Sequence, residues 1–585
     1  MERIAVIDLG SNSARLVIAN ILPNGHFVVF DELKESVRLG QDMERDGFLK
    51  PARVAQAVKT LKMFRKLCDS YNVDKVYAIA TNAVRRAKNQ KSFLEEINSV
   101  CGFKFKVLTE EEEALHIYHG VINSLDVPKA VIVDISGSST QLIHYNRRNV
   151  LNRENLPFGT ITLSDLFNDP NLTPQQQSKM IETYVHDQFS QIAWLKEIDP
   201  DVQFVGVGGS FRNLAKICKR MKRYPLDMVH NYNISSDDFN SIYDMVKVLD
   251  ADKRTKIKGL SVERADIFSS ALACIKGFFD FTGFKNLVVS GSGIREGIIF
   301  NHAVPTTVEK PISDVLGHSV YTMMHYFDVN IPHAEHVCNL SIQLYKQLRV
   351  LHKLPRQYVK VLRVAALLHD AGMRIKFYDH PKHSFYFILN SNLYGITHRD
   401  LVLAAFVAYC HRMDEFPAGE WNKFKELLRE EDLVAVMKLG VILRIAESLD
   451  RPMSGAVKTL NCDVLGDSVI MKTEVEGDCS LEIKDALTAG AEFEIVRHCR
   501  PECVGQSRRV NIANTAGFYS IIPDEPGSKT TLANDGKGSF LGWSKARFWS
   551  FENGVCSLYD SDKEQTPEHL IIALKLKEGA HGQSV

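Results

Sequence analysis

With 585 residues, of which 45% are hydrophobic and 24% charged, the chain is too long for one hydrophobic core and too apolar for disorder. Its 71 basic side chains balance its 71 acidic ones, which disfavours a polycationic nucleic-acid binder. The uncharged apolar run at residues 401–410 is too short to cross a bilayer, so we expect no membrane partner. Eleven cysteines without a CxxC pair favour reduced thiols and therefore a cytoplasmic protein.

The first residues predict a β-hairpin whose turn suits an anion. An apolar run ends at Asp8, a Gly/Ser turn follows at residues 10–13, and a second apolar run begins. The same pattern recurs at Asp134 and the Gly/Ser turn at residues 136–140. We interpret the two copies as an internal duplication, with two related halves facing one cleft. Between them, a helical pattern near residues 51–71 and the strand VYAIAT indicate an α/β alternation.

Later segments change character in chain order. Further Gly/Ser turns follow apolar strands at residues 208–210 and 290–293, and long, histidine-rich helical patterns begin after Pro311. The runs LNCDV, SVIMKTEV, CSLEIK and EFEIV predict short strands, and the sequence after residue 496 has no sustained period, which favours a poorly packed extension. The predicted regions are two α/β lobes at 1–125 and 126–305, an all-α domain at 311–453, a small β segment at 456–496 and an unassigned tail at 497–585.

The repeated turns predict a phosphate cleft. Gly/Ser turns after buried strands can point several backbone N–H groups at one spot, and hydroxyl groups add further donors. Asp8 and Asp134, beside the first two turns, suit a divalent metal that neutralises phosphate charge. The alternative for each Asp is a hydrogen bond to the N–H groups of its own turn.

Six runs, in order, carry a family resemblance: AVIDLGSNSARLVIA, ATNAVRRA, LTEEEEALHIYHGV, VIVDISGSSTQL, VGVGGSFRNLA and SGIREGII. They resemble the exopolyphosphatase and guanosine pentaphosphate phosphohydrolase family, within the sugar kinase, Hsc70 and actin superfamily. The resemblance covers residues 1–302 and implies two actin-like, ribonuclease-H-like lobes around a phosphate cleft. It also implies Mg²⁺-dependent hydrolysis of a phosphoanhydride bond.

The resemblance assigns roles to particular residues. Glu113 matches the catalytic base, Arg85 the phosphate-binding arginine and Asp134 the cleft aspartate. The phosphate-binding positions are Asp8, Ser11, Asn12, Ser13, Gly137, Ser138, Ser139, Gly208, Gly209, Ser210 and Gly293. Hydrolysis needs a base for the attacking water and cations around the phosphoryl oxygens, so these roles are physically reasonable. From composition alone, the acidic run 110–113 is equally a solvated helix N-terminus and Arg85 a surface cation.

The second turn departs from the family pattern Asp-Ile-Gly-Gly-Gly-Ser-Thr-Glu. Ser136 and Ser138 replace glycines, and Gln141 stands where the family has its glutamate. Gln keeps a carbonyl oxygen but carries no charge and accepts no proton at neutral pH. We therefore expect phosphate binding to survive this change better than turnover.

The helical region holds a second candidate site. His336, the pair His369-Asp370 and Asp450 resemble the HD superfamily of metal-dependent phosphohydrolases. His383 and His411 fall where two-metal members of that superfamily have additional ligands. The resemblance implies an HD-type helical domain with a second divalent metal, Mn²⁺ or similar. The alternative is a helical module that extends the phosphate channel or dimerises.

These observations predict a phosphohydrolase that releases orthophosphate from the ends of inorganic polyphosphate with Mg²⁺. Guanosine pentaphosphate is the alternative substrate of the same site. Two further hypotheses are a polyphosphate or nucleotide sensor with little turnover, and a nucleotide phosphohydrolase that uses the HD-type site. We expect the chain to form a homodimer.

Overall fold

A computed structural model describes residues 2–43, 46–199, 201–304, 311–412, 416–465, 468–498, 547–552, 555–560 and 569–575. It divides into two compact units. The first comprises Met1–Tyr326 with Asn392–His398, and the second comprises Phe327–Ser391 with Arg399–Val585. In the part of the chain that the model describes, every helix is too short or too polar to cross a membrane.

The first unit is an α/β structure. Its strands are β1 (Glu2–Leu9), β2 (Ser13–Ile21), β3 (Phe27–Ser36), β4 (Lys75–Ala80), β5 (Lys106–Val107), β6 (Lys129–Ile135), β7 (Thr140–Asn146), β8 (Asn149–Leu156), β9 (Gln203–Val207), β10 (Tyr232–Ser235) and β11 (Asn286–Val289). Its helices are α1 (Pro51–Ser70), α2 (Asn82–Arg86), α3 (Gln90–Cys101), α4 (Glu110–Ile122), α5 (Thr160–Leu166), α6 (Pro174–Ser190), α7 (Ala193–Lys196), α8 (Gly209–Met221), α9 (Ser236–Val246), α10 (Ala251–Arg254), α11 (Phe268–Thr282), α12 (Ile294–Ala303) and α13 (Val315–Tyr326).

The two sheets of this unit repeat one topology, which confirms the predicted duplication. The first sheet has the order β3-β2-β1-β4-β5, and the second has the order β10-β11-β9-β6-β7-β8. In each, a three-stranded antiparallel meander continues into parallel strands through β1–β4 or β6–β9. In both copies an Asp lies next to a tight hairpin turn. Each sheet therefore has an equivalent polar end.

Alternation along β1 explains why helices cover both faces of the first sheet. Ala5, Ile7 and Leu9 belong to one buried cluster with α1 and α3 side chains, whereas Ile4 and Val6 belong to another with α12 side chains. A strand buried on both faces needs apolar residues at successive positions, as this one has. The same burial holds β6 in place, with Val131 and Val133 on one face and Ala130 and Ile132 on the other.

The second unit is mainly helical and ends in a sheet. Its helices are α14 (Ile331–Gln347), α15 (Arg349–His352), α16 (Tyr358–Leu368), α17 (His380–Asn390), α18 (His398–Cys410), α19 (Ala418–Trp421), α20 (Glu430–Ser448) and α21 (Ser480–His498). Its strands are β12 (Val457–Leu465), β13 (Ser468–Val475), β14 (Arg547–Glu552), β15 (Val555–Asp560) and β16 (His569–Lys575), in the antiparallel order β12-β13-β16-β15-β14. The first residue of α18, His398, is counted with the first unit.

Two predictions for the C-terminal part were wrong. CSLEIK and EFEIV lie at the start of and within α21 instead of forming strands. Buried Cys479, Glu482, Ile483, Ala486 and Ala489 recur every three or four residues, which is the helical period. The tail expected to be a poorly packed extension contributes three strands, β14 to β16, to the sheet, and its other residues lie outside the described ranges.

The units do not coincide with the predicted regions. Helix α13 and residues 392–398, both inside the predicted helical domain, belong to the first unit. The expected boundary near residue 305 falls outside the described residues. The bounds of the five predicted regions therefore stay predictions.

Candidate active site and metal centre

The two duplicated hairpin turns have the same hydrogen bond. Gly10 N–H donates to the Ser13 carbonyl at 3.1 Å, and Ser136 N–H donates to the Ser139 carbonyl at 2.9 Å. The turns meet through their hydroxyl groups, because Ser11 Oγ and Ser138 Oγ lie 2.6 Å apart. The sequence therefore folds into two facing Gly/Ser turns within one cleft.

The cleft gathers most of the residues that the sequence analysis chose. The cleft is lined by Asp8, Gly10, Ser11, Asn12, Ser13, Glu113, Asp134, Ser136, Gly137, Gly208, Gly209 and Gly293. Gly208 has a φ of +99°, and a Cβ there would approach Asp134 Oδ1 to 2.8 Å, so glycine is required beside this carboxylate. Ser210 contacts Arg264 Nη1 through its hydroxyl at 3.5 Å.

Four arginines that the sequence analysis did not choose also line the cleft. They are Arg15, Arg212, Arg264 and Arg295. Arg264 and Arg295 are buried, and burial together with the nearby Arg212 and Arg295 lowers the pKa of Arg15 to about 9. Like charges crowded in this way favour a ligand with several negative charges.

The buried Glu113, which lines the cleft, forms an ion pair with the partly buried Arg85. Thr109 and Glu112 form a capping box that starts α4, so Glu113 falls in its first turn. Glu113 is only 3% exposed, and Arg85 Nη1 donates to its Oε2 at 2.9 Å and to the Leu108 carbonyl at 2.8 Å. Arg85 lies behind Glu113 instead of lining the cleft, so the phosphate contact expected of Arg85 stays a prediction.

Three carboxyl groups of the cleft have a raised pKa. Burial raises the pKa of Glu113 to about 7, although Arg85 opposes the shift. Burial, Glu113 and Asp8 raise the pKa of Asp134 to about 7, and burial also raises the pKa of Asp8. Buried carboxylates that repel each other in this way fit a hard divalent cation such as Mg²⁺.

The polar side chains of the two turns and of Gln141 differ in their hydrogen bonding. Asn82 Nδ2 donates to Ser138 Oγ at 2.9 Å and to the Ser138 carbonyl at 2.8 Å. Ser139 Oγ, Asn12 Oδ1 and both amide atoms of Gln141 are buried without a hydrogen-bond partner among the described residues. Gln141 pairs with Asp134 across β6 and β7, so both side chains face the same side of the sheet.

The second unit contains a separate cluster of metal-ligating side chains. Two groups of three converge there, and both include Asp370: one with His333 and His369, the other with His380 and His411. His333 and His369 approach Asp370 Oδ2 at 3.7 and 3.6 Å, and His380 and His411 approach Oδ1 at 3.2 and 4.0 Å, in each case through Nε2. The two oxygens of one carboxylate thus face two pairs of histidines.

All four imidazole rings are oriented by their other nitrogen. Each Nδ1 is bonded to an oxygen: His333 to Asp450 Oδ2 at 2.7 Å, His369 to the Ala366 carbonyl at 2.8 Å, His380 to the Phe377 carbonyl at 2.8 Å and His411 to the Ala408 carbonyl at 2.5 Å. This arrangement leaves Nε2 as the ligand atom of each ring. Burial lowers the pKa of His411 to about 4, so the ring is neutral and able to bind a metal.

The structure corrects part of the histidine set chosen from the sequence. His333 and His380 stand beside Asp370, whereas His336 and His383 lie outside both groups. Residues three apart on a helix lie on neighbouring faces, and only packing decides which of them faces a partner. Asp450 accepts a hydrogen bond from the Gly455 N–H at 2.7 Å and orients His333, so the structure places it behind His333.

Three of the four cleft arginines could have been predicted from the sequence. Arg15, Arg212 and Arg295 lie inside three of the runs that carry the family resemblance, each within six residues of a Gly/Ser turn. Arginine next to a phosphate-type turn was the available signal. Arg264 had no such signal, because it reaches the cleft from a segment between α10 and α11.

Comparisons with known proteins identify the family of the chain. Residues 17–304 match the model of the Ppx/GppA phosphatase family, and residues 315–487 match that of Ppx/GppA phosphatase domain III. A guanosine-5'-triphosphate,3'-diphosphate pyrophosphatase of Aeromonas hydrophila is 25% identical over 76% of this chain and 86% of its own length. The protein of the same name from Vibrio vulnificus is 26% identical over 75% and 86%.

Among solved structures, an exopolyphosphatase from Cytophaga hutchinsonii is 25% identical, with a TM-score of 0.47, and the match covers 52% of this chain and 98% of that one. The two family models together span most of the chain. The chain belongs to the Ppx/GppA phosphatase family.

Proposed function

We propose that the chain is an exopolyphosphatase that releases orthophosphate from the ends of inorganic polyphosphate with Mg²⁺. The observation that carries the proposal is the juxtaposition of a buried acid, Glu113, with four cleft arginines and two facing Gly/Ser turns. A base and a polycationic cradle are what hydrolysis of a phosphoanhydride chain requires. Membership of the family makes the chain a hydrolase of phosphoanhydride bonds.

Each part of the cleft has a role in this proposal. The turn N–H groups and the four arginines hold phosphoryl oxygens, and Glu113 accepts the proton of the attacking water. Arg85 holds Glu113 in place by its 2.9 Å hydrogen bond. Asp8 and Asp134 would hold Mg²⁺, which neutralises phosphoryl charge when bound.

Two alternatives use the same cleft. Guanosine pentaphosphate also ends in a phosphoanhydride, and the relatives from Aeromonas and Vibrio are named for a guanosine substrate. A sensor with little turnover is the other alternative, and it is favoured by the neutral Gln141 beside Asp134. Both alternatives keep the cationic cradle, and they differ in whether the bound ligand is then hydrolysed.

The test is phosphate release from inorganic polyphosphate and from guanosine pentaphosphate by the purified protein, with and without Mg²⁺. We expect Mg²⁺-dependent release from polyphosphate with the higher kcat/KM. Faster release from guanosine pentaphosphate would make the nucleotide the substrate. Tight binding of either compound without release would establish the sensor.

We infer that the cluster of the second unit is an HD-type site for divalent cations, which Asp370 and its four neighbouring histidines would hold. His380 Nε2 and His411 Nε2 lie 3.0 Å apart, although both rings use Nδ1 toward a carbonyl oxygen. Two facing lone pairs repel each other unless a proton or a cation lies between them. The imidazole and carboxylate donors suit Mn²⁺ or a similar ion.

Elemental analysis of the purified protein and of Asp370→Ala tests this second site. Because Asp370 is the carboxylate common to both groups of three, its loss should remove most of the bound metal. Unchanged metal content in the variant would leave the cluster without a metal-binding role. Metal-dependent hydrolysis of nucleotides that Asp370→Ala abolishes would assign the site its own activity.

Compartment and assembly complete the proposal. Eight cysteines of the described ranges, from Cys68 to Cys479, are free, which supports the reducing cytoplasm as the location. We propose a homodimer as the working assembly, and light scattering of the purified chain would measure its mass.

A further inference from the structure

One glycine at the rim of the cleft, Gly291, is held through both of its backbone polar groups. Gly291 lies in the Gly/Ser turn between β11 and α12, and its N–H donates to His230 Nδ1 at 3.0 Å. Its carbonyl oxygen accepts a hydrogen bond from Arg212 Nη1, also at 3.0 Å. Arg212 lines the cleft, so the backbone of Gly291 joins His230 to a cation of the cleft.

The His230 ring is fixed in one tautomer by these contacts. Its Nε2 lies 3.0 Å from the Ser124 carbonyl, which can only accept, so Nε2 carries the proton. Its Nδ1 therefore presents a lone pair to the Gly291 N–H. The ring of Tyr394 packs against it at 5.1 Å, and His398 Nε2 donates to the His230 carbonyl at 2.8 Å.

We propose that His230 is a positioning residue for phosphate binding, which aims Arg212 into the cleft by fixing the backbone of Gly291. The proposal rests on the cleft being the polyphosphate site. An arginine anchored through a carbonyl keeps its remaining N–H donors in one direction, and that saves the entropy of ordering it when the ligand binds. His230 touches neither substrate nor Glu113 in this arrangement and acts only through Arg212.

The arrangement also predicts a pH dependence. Burial lowers the pKa of His230 to about 4, while Glu296 and the Ser124 carbonyl oppose the shift. The other groups near it are His398, the Tyr394 hydroxyl and the Arg212 guanidinium, reached through Gly291. Protonation would replace the Nδ1 acceptor with a donor facing the Gly291 N–H. Affinity for phosphate chains should therefore fall as pH approaches 4 from neutrality.

Two near-isosteric substitutions separate the contacts of the ring. In His230→Asn the amide oxygen reaches the position of Nδ1 and can accept from Gly291, whereas His230→Gln places its amide near Nε2 and Ser124. We expect His230→Gln to raise KM for polyphosphate by about tenfold, the effect of losing one hydrogen bond of a charged network, with little change in kcat. His230→Asn should recover most of the affinity.

Binding of inorganic tripolyphosphate, measured by calorimetry, provides a readout independent of chemistry. We expect the affinity for tripolyphosphate to be lower in His230→Gln than in His230→Asn. We also expect His230→Asn to lack the loss of affinity below pH 5 that the wild type shows. The pH comparison with the Asn variant cancels the titration of tripolyphosphate itself. It also keeps the proposal testable if the Gln variant does not fold.

Equal KM and equal affinity in both variants would overturn the proposal, since they would mean that the Gly291 contact has no role. An equal rise in KM in both variants, together with a lowered Tm, would mean that His230 has only a structural role. Failure of the wild type to bind tripolyphosphate or polyphosphate would instead reject the proposed function of the cleft.

Discussion

Glu113 shows how burial and an ion pair compete over one carboxyl group. Its exclusion from water raises its pKa, whereas the hydrogen bond from Arg85 lowers it, and the balance places the pKa at about 7. An acid with this pKa is divided between its two forms near neutral pH, which suits a general base. The folded protein therefore binds a proton here between pH 4.5 and 7 that the unfolded chain has released.

The first residue-scale prediction concerns the base. Below its pKa Glu113 is protonated and accepts no proton from water, so kcat/KM should rise with pH through about 7 and then level. Glu113→Gln keeps the shape, and turnover should fall by roughly 10² to 10⁴ with little change in polyphosphate affinity. Phosphate release across pH 5 to 9 is the measurement. Turnover at the wild-type level in Glu113→Gln would move the base to another residue.

The second residue-scale prediction concerns Gln141. Its buried amide lacks a partner among the described residues, and it faces the same side of the sheet as Asp134. Gln141→Glu restores the acid of the family pattern, so phosphate release or its Mg²⁺ dependence should increase. A titration with Mg²⁺ compares the two proteins. An unchanged Mg²⁺ profile would show that Gln in place of Glu at position 141 does not affect the reaction. Reduced phosphate release would indicate that the second turn of this chain works better with Gln141.

At the scale of elements, two helices that carry cleft residues touch through glycines. Helix α4 carries Glu113, and helix α12 carries Arg295 near its start. A Cβ on Gly297 would overlap the His116 carbonyl, and a Cβ on Gly120 would overlap the Gly293 carbonyl. Because the backbones approach this closely, the glycines set the distance between base and arginine.

Gly297→Ala should therefore separate these helices. We expect a loss of about 1–3 kcal/mol of unfolding free energy, the usual effect of overpacking, and a lower kcat. Gly419→Ala is the matched control, since a Cβ there meets nothing within 4 Å inside the short helix α19. The control should be neutral or slightly stabilising through helix propensity. Denaturant unfolding measures the stability of both variants. Equal stability of the two would contradict the packing role of Gly297.

At the scale of the whole molecule, the two sites share no residue. The cleft belongs to the first unit and the metal cluster to the second. Asp370→Ala should therefore leave phosphate release from polyphosphate within about threefold of wild type, because substitutions at sites without shared residues or partners act independently. The assay is the same phosphate release, run beside metal analysis. Parallel loss of metal and polyphosphate hydrolysis would transfer the main chemistry to the second unit.

Local pattern alone determined much of this protein. The hairpin ending at Asp8, its copy at Asp134 and helix α1 arise from residue periodicity and turn chemistry, which act over a few neighbours. Most turn residues of the cleft were found in the same way, whereas Glu113 was chosen because it matches the catalytic base of the family that the chain resembles.

Only the tertiary structure decided the rest. It placed His333 and His380 beside Asp370 instead of their neighbours three residues later, because helix rotation is set by packing against other helices. It set Arg85 against Glu113 and aimed Arg212 at the cleft, because both depend on backbone carbonyls far away in sequence. It also made CSLEIK helical, since a short apolar run fits either period until its buried face is known.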